Sequence, residues 1–248
     1  MNLTGIYAIW QREILTFLRE RPRIISAAIN PIFWLVTFGA GLGSTVAIAG
    51  INYQQFIFAG IIVQTLLFSS IFYGSYLVWD RRIDLLKAVL VTPLSRQAIF
   101  FGKVLSGVTF ALIQTAIILA FGIFIGINYT ITSIVLVVLT VALAASALTA
   151  VGLTIGSLMT SPEGFQLITT FVIFPLFFLS GALFPLDNLP VYLATLTAVN
   201  PVTYIVDVLR GLLIGMQHYG SLENILVLSG FALVANLIGI QAFKMMRS

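Results

Sequence analysis

The residues able to do chemistry are few, and two groups of them stand out. Asp80, Arg81, Arg82, Asp84, Lys87 and Arg96 all fall within residues 80–96, DRRIDLLKAVLVTPLSR, in a chain where charged residues make up only 8%. Asp207 and Arg210 form the second group, spaced i, i+3 so that they can pair on one helix face. Neither group is a catalytic constellation. The one histidine, His218, stands in no cluster of His, Asp and Glu. The chain has no cysteine, which excludes disulfides, thiolate metal sites and lipid-linked cysteines. It carries no GxxxxGK[ST] phosphate loop, and no nucleophile–base pair is visible. No catalytic residue, metal site or cofactor is therefore expected on this chain. The first group is suited to meeting a partner, the second to neutralising itself in a dry place.

The elements that must position these residues are membrane spans. Hydrophobic residues make up 60% of the 248 positions, leaving too few charges for a soluble surface. Six uncharged runs approach or exceed the roughly 20 apolar residues that cross a bilayer: 24–44, 56–79, 104–126, 132–158, 165–184 and 225–243. The first begins only after Arg12, Arg19, Arg21 and Arg23 and is too long for a signal-peptide core. With these runs as spans, eleven of the twelve Lys and Arg residues share one side, and only Arg210 lies on the other. The positive-inside rule makes that side cytoplasmic, with both termini there. The net charge of +4 does not indicate nucleic acid, because the basic residues sit at span ends. The fold class expected is all-α integral membrane: six transmembrane helices in one domain over 1–248, an N-terminal interfacial helix (1–23), a charged cytoplasmic segment (80–97) and an external re-entrant segment (185–219) before the last span.

Residues 3–18 place Leu3, Ile6, Tyr7, Trp10, Ile14, Phe17 and Leu18 on one helical stripe, with Arg12, Glu13, Thr16 and Arg19 off it. That pattern predicts an amphipathic helix lying in the interface. Its Trp and Tyr residues are the interfacial anchors; Trp10, Arg12, Arg19, Glu20 and Arg21 are its candidate interfacial residues, and Pro22 breaks the helix. Pro31 and Pro175 are expected to kink spans one and five. The GxxxG pairs Gly122/Gly126 and Gly152/Gly156 favour close helix contact, more readily within one subunit than between two. Pro185, Pro190 and Pro201 cut 185–219 into pieces too short to span. A charge at mid-membrane costs at least about 2.5–3.5 kcal/mol, so Asp207 and Arg210 argue for two short helices that dip in and return. If the two are paired there, removing one costs more than removing both.

None of the six runs holds Asp, Glu, Lys, Arg or His, whereas ion-driven carriers place such groups at the midplane. The energy source is then expected elsewhere. The order of elements resembles the ABC-2 class of ABC transporter permeases, the drug, oligosaccharide and polysaccharide exporters, over nearly the whole chain. Two stretches carry the resemblance. DRRIDLLKAVLVTPLSRQAIFFGK at 80–103 resembles the family's Arg-containing turn, amphipathic helix, Thr-Pro, Ser-Arg and Gly-Lys. FPLFFLSGALFPLDNLPVYLATLTAVNPVTYIVDVLRG at 174–211 resembles its Phe-Pro, Leu-Pro, Asn-Pro and Asp-x-x-Arg series. The drug-resistance and nodulation-factor exporters resemble it most in length.

The resemblance implies that 80–96 is a coupling helix seated in a cleft of a separate ATPase subunit. Asp80, Arg81, Arg82, Asp84, Lys87, Thr92, Pro93, Ser95 and Arg96 would make that contact, with Asp80 or Asp84 as the carboxylate. It also implies a homodimer of this chain with two ATPase copies that carry the ATP and Mg. The re-entrant gate would comprise Pro185, Pro190, Asn200, Pro201, Asp207 and Arg210. Phe174, Phe177, Phe178 and Tyr204 are candidates to line the path of an amphipathic drug, lipid or lipid-linked glycan across the cytoplasmic membrane. The alternatives are a structural or sensory membrane subunit and a secondary carrier.

Overall fold

The computed structural model describes residues 3–43, 47–48, 50–83, 94–187 and 189–246. Asp84, Lys87, Thr92 and Pro93 lie outside the described residues. Helix α1 runs Leu3–Arg19. α2, Arg21–Trp34, starts with Pro22 in its first turn, where a missing N–H is tolerated. It continues through Pro31 into a π-helical stretch, Leu35–Ala40, and the turn Gly41–Gly43. Two short antiparallel strands follow, β1 (Ala47–Ile48) and β2 (Ile51–Asn52). Asn52 then caps α3, Tyr53–Phe72, by accepting the Gln54 N–H.

α3 is followed by a break at Tyr73–Gly74 and by α4, Ser75–Arg82. The two form one apolar rod of 30 residues. Asp80, Arg81 and Arg82 are therefore the last turn of a span rather than part of a separate segment. α5, Arg96–Gly122, begins eight residues before the apolar run, because Ser95 accepts the Ala98 N–H and starts the helix there. The far end of α5 also differs from expectation. Gly126 is a left-handed cap (φ 80°) beyond a 3-10 turn, so Gly122 and Gly126 do not share an α-helix.

A capping box of Thr130 and Ser133 opens α6, Ile131–Leu158. α7, Pro162–Phe178, is capped by Ser161 and carries Pro175 inside it. α8, Val191–Val199, and α9, Pro201–Ile214, meet at 86°. α10 is Ser221–Met245. Among the described residues four helices are long and apolar enough to cross a membrane, or five if the bent α8–α9 pair counts as one. α7 has 17 residues and falls short of that length.

α6 is the spine of the core and packs on α3, α5, α9 and α10. Its partners include Ile57, Ile62 and Leu67 of α3 and Ile205 and Leu209 of α9, all fully buried against Val137, Val141 and Leu148. At the other end, α6 crosses the α3–α4 break backbone to backbone. A methyl on Gly74 would overlap the Gly152 carbonyl, one on Gly152 the Ile71 carbonyl, and one on Gly156 the Gly74 carbonyl. The Gly152/Gly156 pair is thus used for packing within one chain.

α1 corrects the amphipathic pattern. Its buried row is Gly5, Ile9, Glu13 and Phe17, an i, i+4 series packed on α5, with Gly102 admitting Ile9. Phe17, expected on the interfacial stripe, instead stacks on Phe110 at 4.4 Å. Leu3, Tyr7 and Leu18 remain exposed and form the lipid-ready face. A helix resting on protein and membrane together needs two apolar faces, and a single stripe shows only one of them.

Candidate functional site

Four charges meet between α1, the end of α4 and the first turns of α5. Lys103 of α5 is 1% exposed. Its Nζ donates to Glu13 Oε1 of α1 at 2.9 Å and to Asp80 Oδ2 of α4 at 3.1 Å. Arg12 lies 3.8 Å from the same Asp80 oxygen and 4.0 Å from Glu13 Oε1. Each cation touches both anions, so the four side chains close a ring that joins three helices. Tyr73, at the α3–α4 break, donates from its hydroxyl to Glu13 Oε2 at 3.1 Å. Burial alone would raise the Glu13 carboxyl. The Lys103 charge and hydrogen bond, with Arg12 and Tyr73, outweigh it and hold the group below the ordinary carboxylate value.

The sequence brought forward two members of this ring, Asp80 and Arg12. It read Glu13 as a polar residue off the stripe and Lys103 as the lysine of the Gly-Lys that closes the 80–103 stretch. A usable signal was present: Glu13 stands in the row Gly5, Ile9, Glu13, Phe17, and a carboxylate in a buried row requires a cation.

Other residues of the charged segment face inward as well. Arg81 donates to the Met159 carbonyl at 2.6 Å and the Ser157 carbonyl at 2.9 Å, closing the C-terminus of α6. Only Arg82 of this turn points outward, 3.7 Å from the exposed Glu163 and over the Trp79 ring at 5.5 Å. Ser95 is a helix cap and Arg96 the first residue of α5. Trp10 donates from its indole to Thr109 Oγ1 at 3.0 Å, fixing α1 on α5. Arg19 ends α1 on the exposed side, Glu20 precedes α2, and Arg21 begins α2.

At the opposite end, Asp207 and Arg210 are 2% and 5% exposed, yet they do not form an ion pair with each other. Asp207 accepts the backbone N–H groups of His218 (2.7 Å) and Tyr219 (3.1 Å) and the Asn224 amide (2.9 Å). It thereby ties α9 to the start of α10. Arg210 donates to the carbonyls of Gly181 (2.9 Å) and Ala182 (3.4 Å), and its guanidinium lies 3.8 Å over the Phe56 ring. It holds the loop after α7 against α3. Each charge therefore has its own task, which corrects the expected pair.

Asn200 makes the α8–α9 bend. Its Oδ1 accepts the Val202 N–H at 3.0 Å while its amide donates to the Leu176 carbonyl of α7 at 2.7 Å. Pro190 precedes α8, and Pro201 opens α9. Pro185 lines a cavity of about 210 Å³ with Asp187, Arg210 and His218.

Between α2, α3 and α7 lies a crevice of about 170 Å³ lined by Asn30, Gln64, Thr65, Phe68, Phe174 and Phe178 among others. It shares Asn30, Pro31, Thr65 and Phe68 with a wider cavity of about 360 Å³ that reaches Phe17, Tyr76 and Gln114 toward the charged ring. Among the described residues no charged side chain lines either one. Phe174 and Phe178 stack at 5.9 Å, and Phe68 meets Phe174 edge-on at 5.8 Å. Phe177 also lines the crevice. Tyr204 does not join these rings: it is buried beside Tyr219 and donates to the Ala198 carbonyl at 2.8 Å. Among the described residues no group of three His, Cys, Asp or Glu could hold a metal. Among the described residues the site offers hydrogen bonds, aromatic faces and an ion-paired contact between three helices.

Comparison with known proteins agrees with that character. The family model for the ABC-2 type transporter matches residues 4–214. A "Putative transport permease ycf38" of Cyanophora paradoxa is 32% identical over 207 residues, covering 80% of this chain and 71% of that protein. "Nodulation protein J" of Rhizobium leguminosarum bv. trifolii is 27% identical over 234 residues, 90% of this chain and 89% of its own length. "Inner membrane transport permease YadH" of Escherichia coli K12 is 28% identical over 214 residues, 83% and 81% of the two chains. With that model matched over most of its length and with helices long and apolar enough to cross a membrane, this chain belongs to the ABC-2 type transporter family and is a membrane transport permease.

Proposed function

We propose that this permease is the membrane half of an ATP-driven exporter, taking an amphipathic drug, lipid or lipid-linked glycan across the cytoplasmic membrane. Two copies would pair with two copies of a separate ATPase that binds ATP and Mg. The observation that carries the reading is the ring of Arg12, Glu13, Asp80 and Lys103. It fixes the root of the 84–93 segment to three helices at once, as a segment that receives a push from outside the membrane requires. Arg81 adds a fourth helix by closing α6. ATPase closure would move this joint as one body and change access to the uncharged, aromatic crevice beside Phe174 and Phe178. The bend at Asn200–Pro201 and the loop held by Arg210 would form the gate at the far end. With α2 and α7 completing six crossings, both termini and the ring would lie in the cytoplasm. The phrase "inner membrane" in the Escherichia coli relative's name supports the same membrane.

The test is purification of the tagged permease with a candidate P-loop ATPase subunit, followed by ATPase assays in proteoliposomes. Stable co-purification and stimulation by an amphipathic substrate are expected. Transport that runs on a proton gradient without ATP would overturn the reading in favour of a secondary carrier.

A further inference from the structure

A groove outside the crevice and both charged groups remains unassigned. It has a volume of about 370 Å³ and lies between α6, α9 and α10. We propose that it holds one acyl chain of a resident membrane lipid. Its walls are mainly aliphatic: Leu136, Leu139 and Leu143 of α6, Leu212 of α9, and Ile225 and Leu228 of α10, while Thr140 of α6 donates its hydroxyl to its own helix at the Leu136 carbonyl. Among the described residues no charged group and no aromatic ring lines it. Leu136 to Leu143 is seven residues of helix, about 10 Å of rise, and Ser221 to Leu228 is the same. The groove therefore runs along the helix axes, as a chain standing in a leaflet does.

One end of the groove is polar and the other is not. Gln217 and Ser221 line it where the α9–α10 loop begins α10, and Gln217 donates from its amide to Ser221 Oγ at 3.3 Å. Leu143 and the buried Leu228 form the inner end. This gradient matches a lipid with its headgroup at the loop and its chain inside. The groove is open on its flank: Leu136 is 42%, Leu139 59% and Ile225 58% exposed. At membrane depth an open aliphatic groove fills with hydrocarbon, because water there would lose its hydrogen bonds. Gly211 makes the room. A Cβ at that position would come within 3.2 Å of the Gln217 side chain, pressing on the polar mouth. Val208, Gly211 and Leu212 present one side of α9 to the groove, while Asp207 and Arg210 on the adjoining side hold the two gate loops. A seated chain thus braces the helix that carries both anchors.

The test uses the full permease in bilayers containing a phosphatidylethanolamine with a diazirine in its acyl chain. After illumination, peptides bearing lipid adducts are counted. The expected result is labelling of 136–143 and 225–228 well above that of Leu233–Ile238, an exposed face of α10 that meets bulk lipid. Filling the groove with Gly211→Leu, or with Leu139→Trp from the opposite wall, should cut groove labelling on the order of tenfold, as expected for losing about two methylenes' burial. Labelling of Leu233–Ile238 should not change. Equal labelling of groove and face in the unaltered protein overturns the proposal, and that comparison decides even if neither filled variant folds. Disulfide cross-linking between copies through Leu139→Cys also overturns it, because a second copy would then occupy the groove.

Discussion

Lys103 is the residue on which most depends, because it is the only fully buried cation of the ring. Lys103→Met leaves two carboxylates to share Arg12. Loss of one partner from a buried pair costs about 3–5 kcal/mol, so the purified protein should melt well below the parent. Glu13→Gln together with Lys103→Met should be less damaging than the sum of the singles, with about 0.5–3 kcal/mol of coupling. A purely additive result would mean that the ring is solvated. The pH dependence has a definite sign. Glu13 titrates below its ordinary value of 4.5, so its contribution is complete above that pH and is lost as pH falls through the lower, folded-state value. Glu13→Gln should flatten the acid limb of melting temperature against pH. Arg81 and Arg82, adjacent and alike in sequence, should differ: Arg81→Gln opens the end of α6 and costs about 1–3 kcal/mol. Arg82→Gln, on the surface, should stay within about 0.5 kcal/mol, so equal melting temperatures for the two variants would refute the cap. Asp207→Asn and Arg210→Gln should each impair expression or transport. Because they hold different loops, the double variant should be at least as impaired as the worse single; recovery would show a direct pair instead.

Elements were legible in the sequence to different degrees. Each long helix follows an apolar run, and the starts of α5, α6 and α7 follow the caps Ser95, Thr130 and Ser161. Composition alone could not place the ends. α4 runs on to Arg82 because Asp80 and Arg81 find partners within the bundle, and hydropathy does not record partners. The same blindness hid the ring: Glu13 and Lys103 are ninety residues apart and lie on helices whose contact depends on Gly102 accepting Ile9. The Asn200–Pro201 bend was signalled by proline, whereas the Leu176 carbonyl that secures it was not. The closest crossing of elements is α6 over the α3–α4 break, where glycine is required on both sides. Gly152→Ala would drive a methyl into the Ile71 carbonyl and should cost about 1–3 kcal/mol as overpacking. Gly41→Ala, with open space around it, should be close to neutral. Folded yield of the two variants by size-exclusion chromatography measures the difference.

For the whole molecule the open quantity is the number of crossings, and a chain without cysteine suits accessibility labelling. Single cysteines at the exposed positions Thr4 and Met245 should react with an impermeant maleimide only from the cytoplasm, and those at Asn128 and Asp187 only from outside. External reactivity at Met245 would make the α8–α9 pair a true crossing and turn six spans into seven. The ring also constrains how the molecule is made. Arg12 and Glu13 leave the ribosome ninety residues before Lys103. At ~5–20 residues per second that is roughly 5–20 seconds of synthesis. During this interval α1 has no counter-ion on α5 and no α5 to rest on. The amino-terminal helix must wait at the membrane surface, exposed to proteases and chaperones, until the span carrying Lys103 has been inserted. Biogenesis of this permease therefore finishes its first helix after its third apolar run, and degradation of chains truncated before residue 103 should begin at α1.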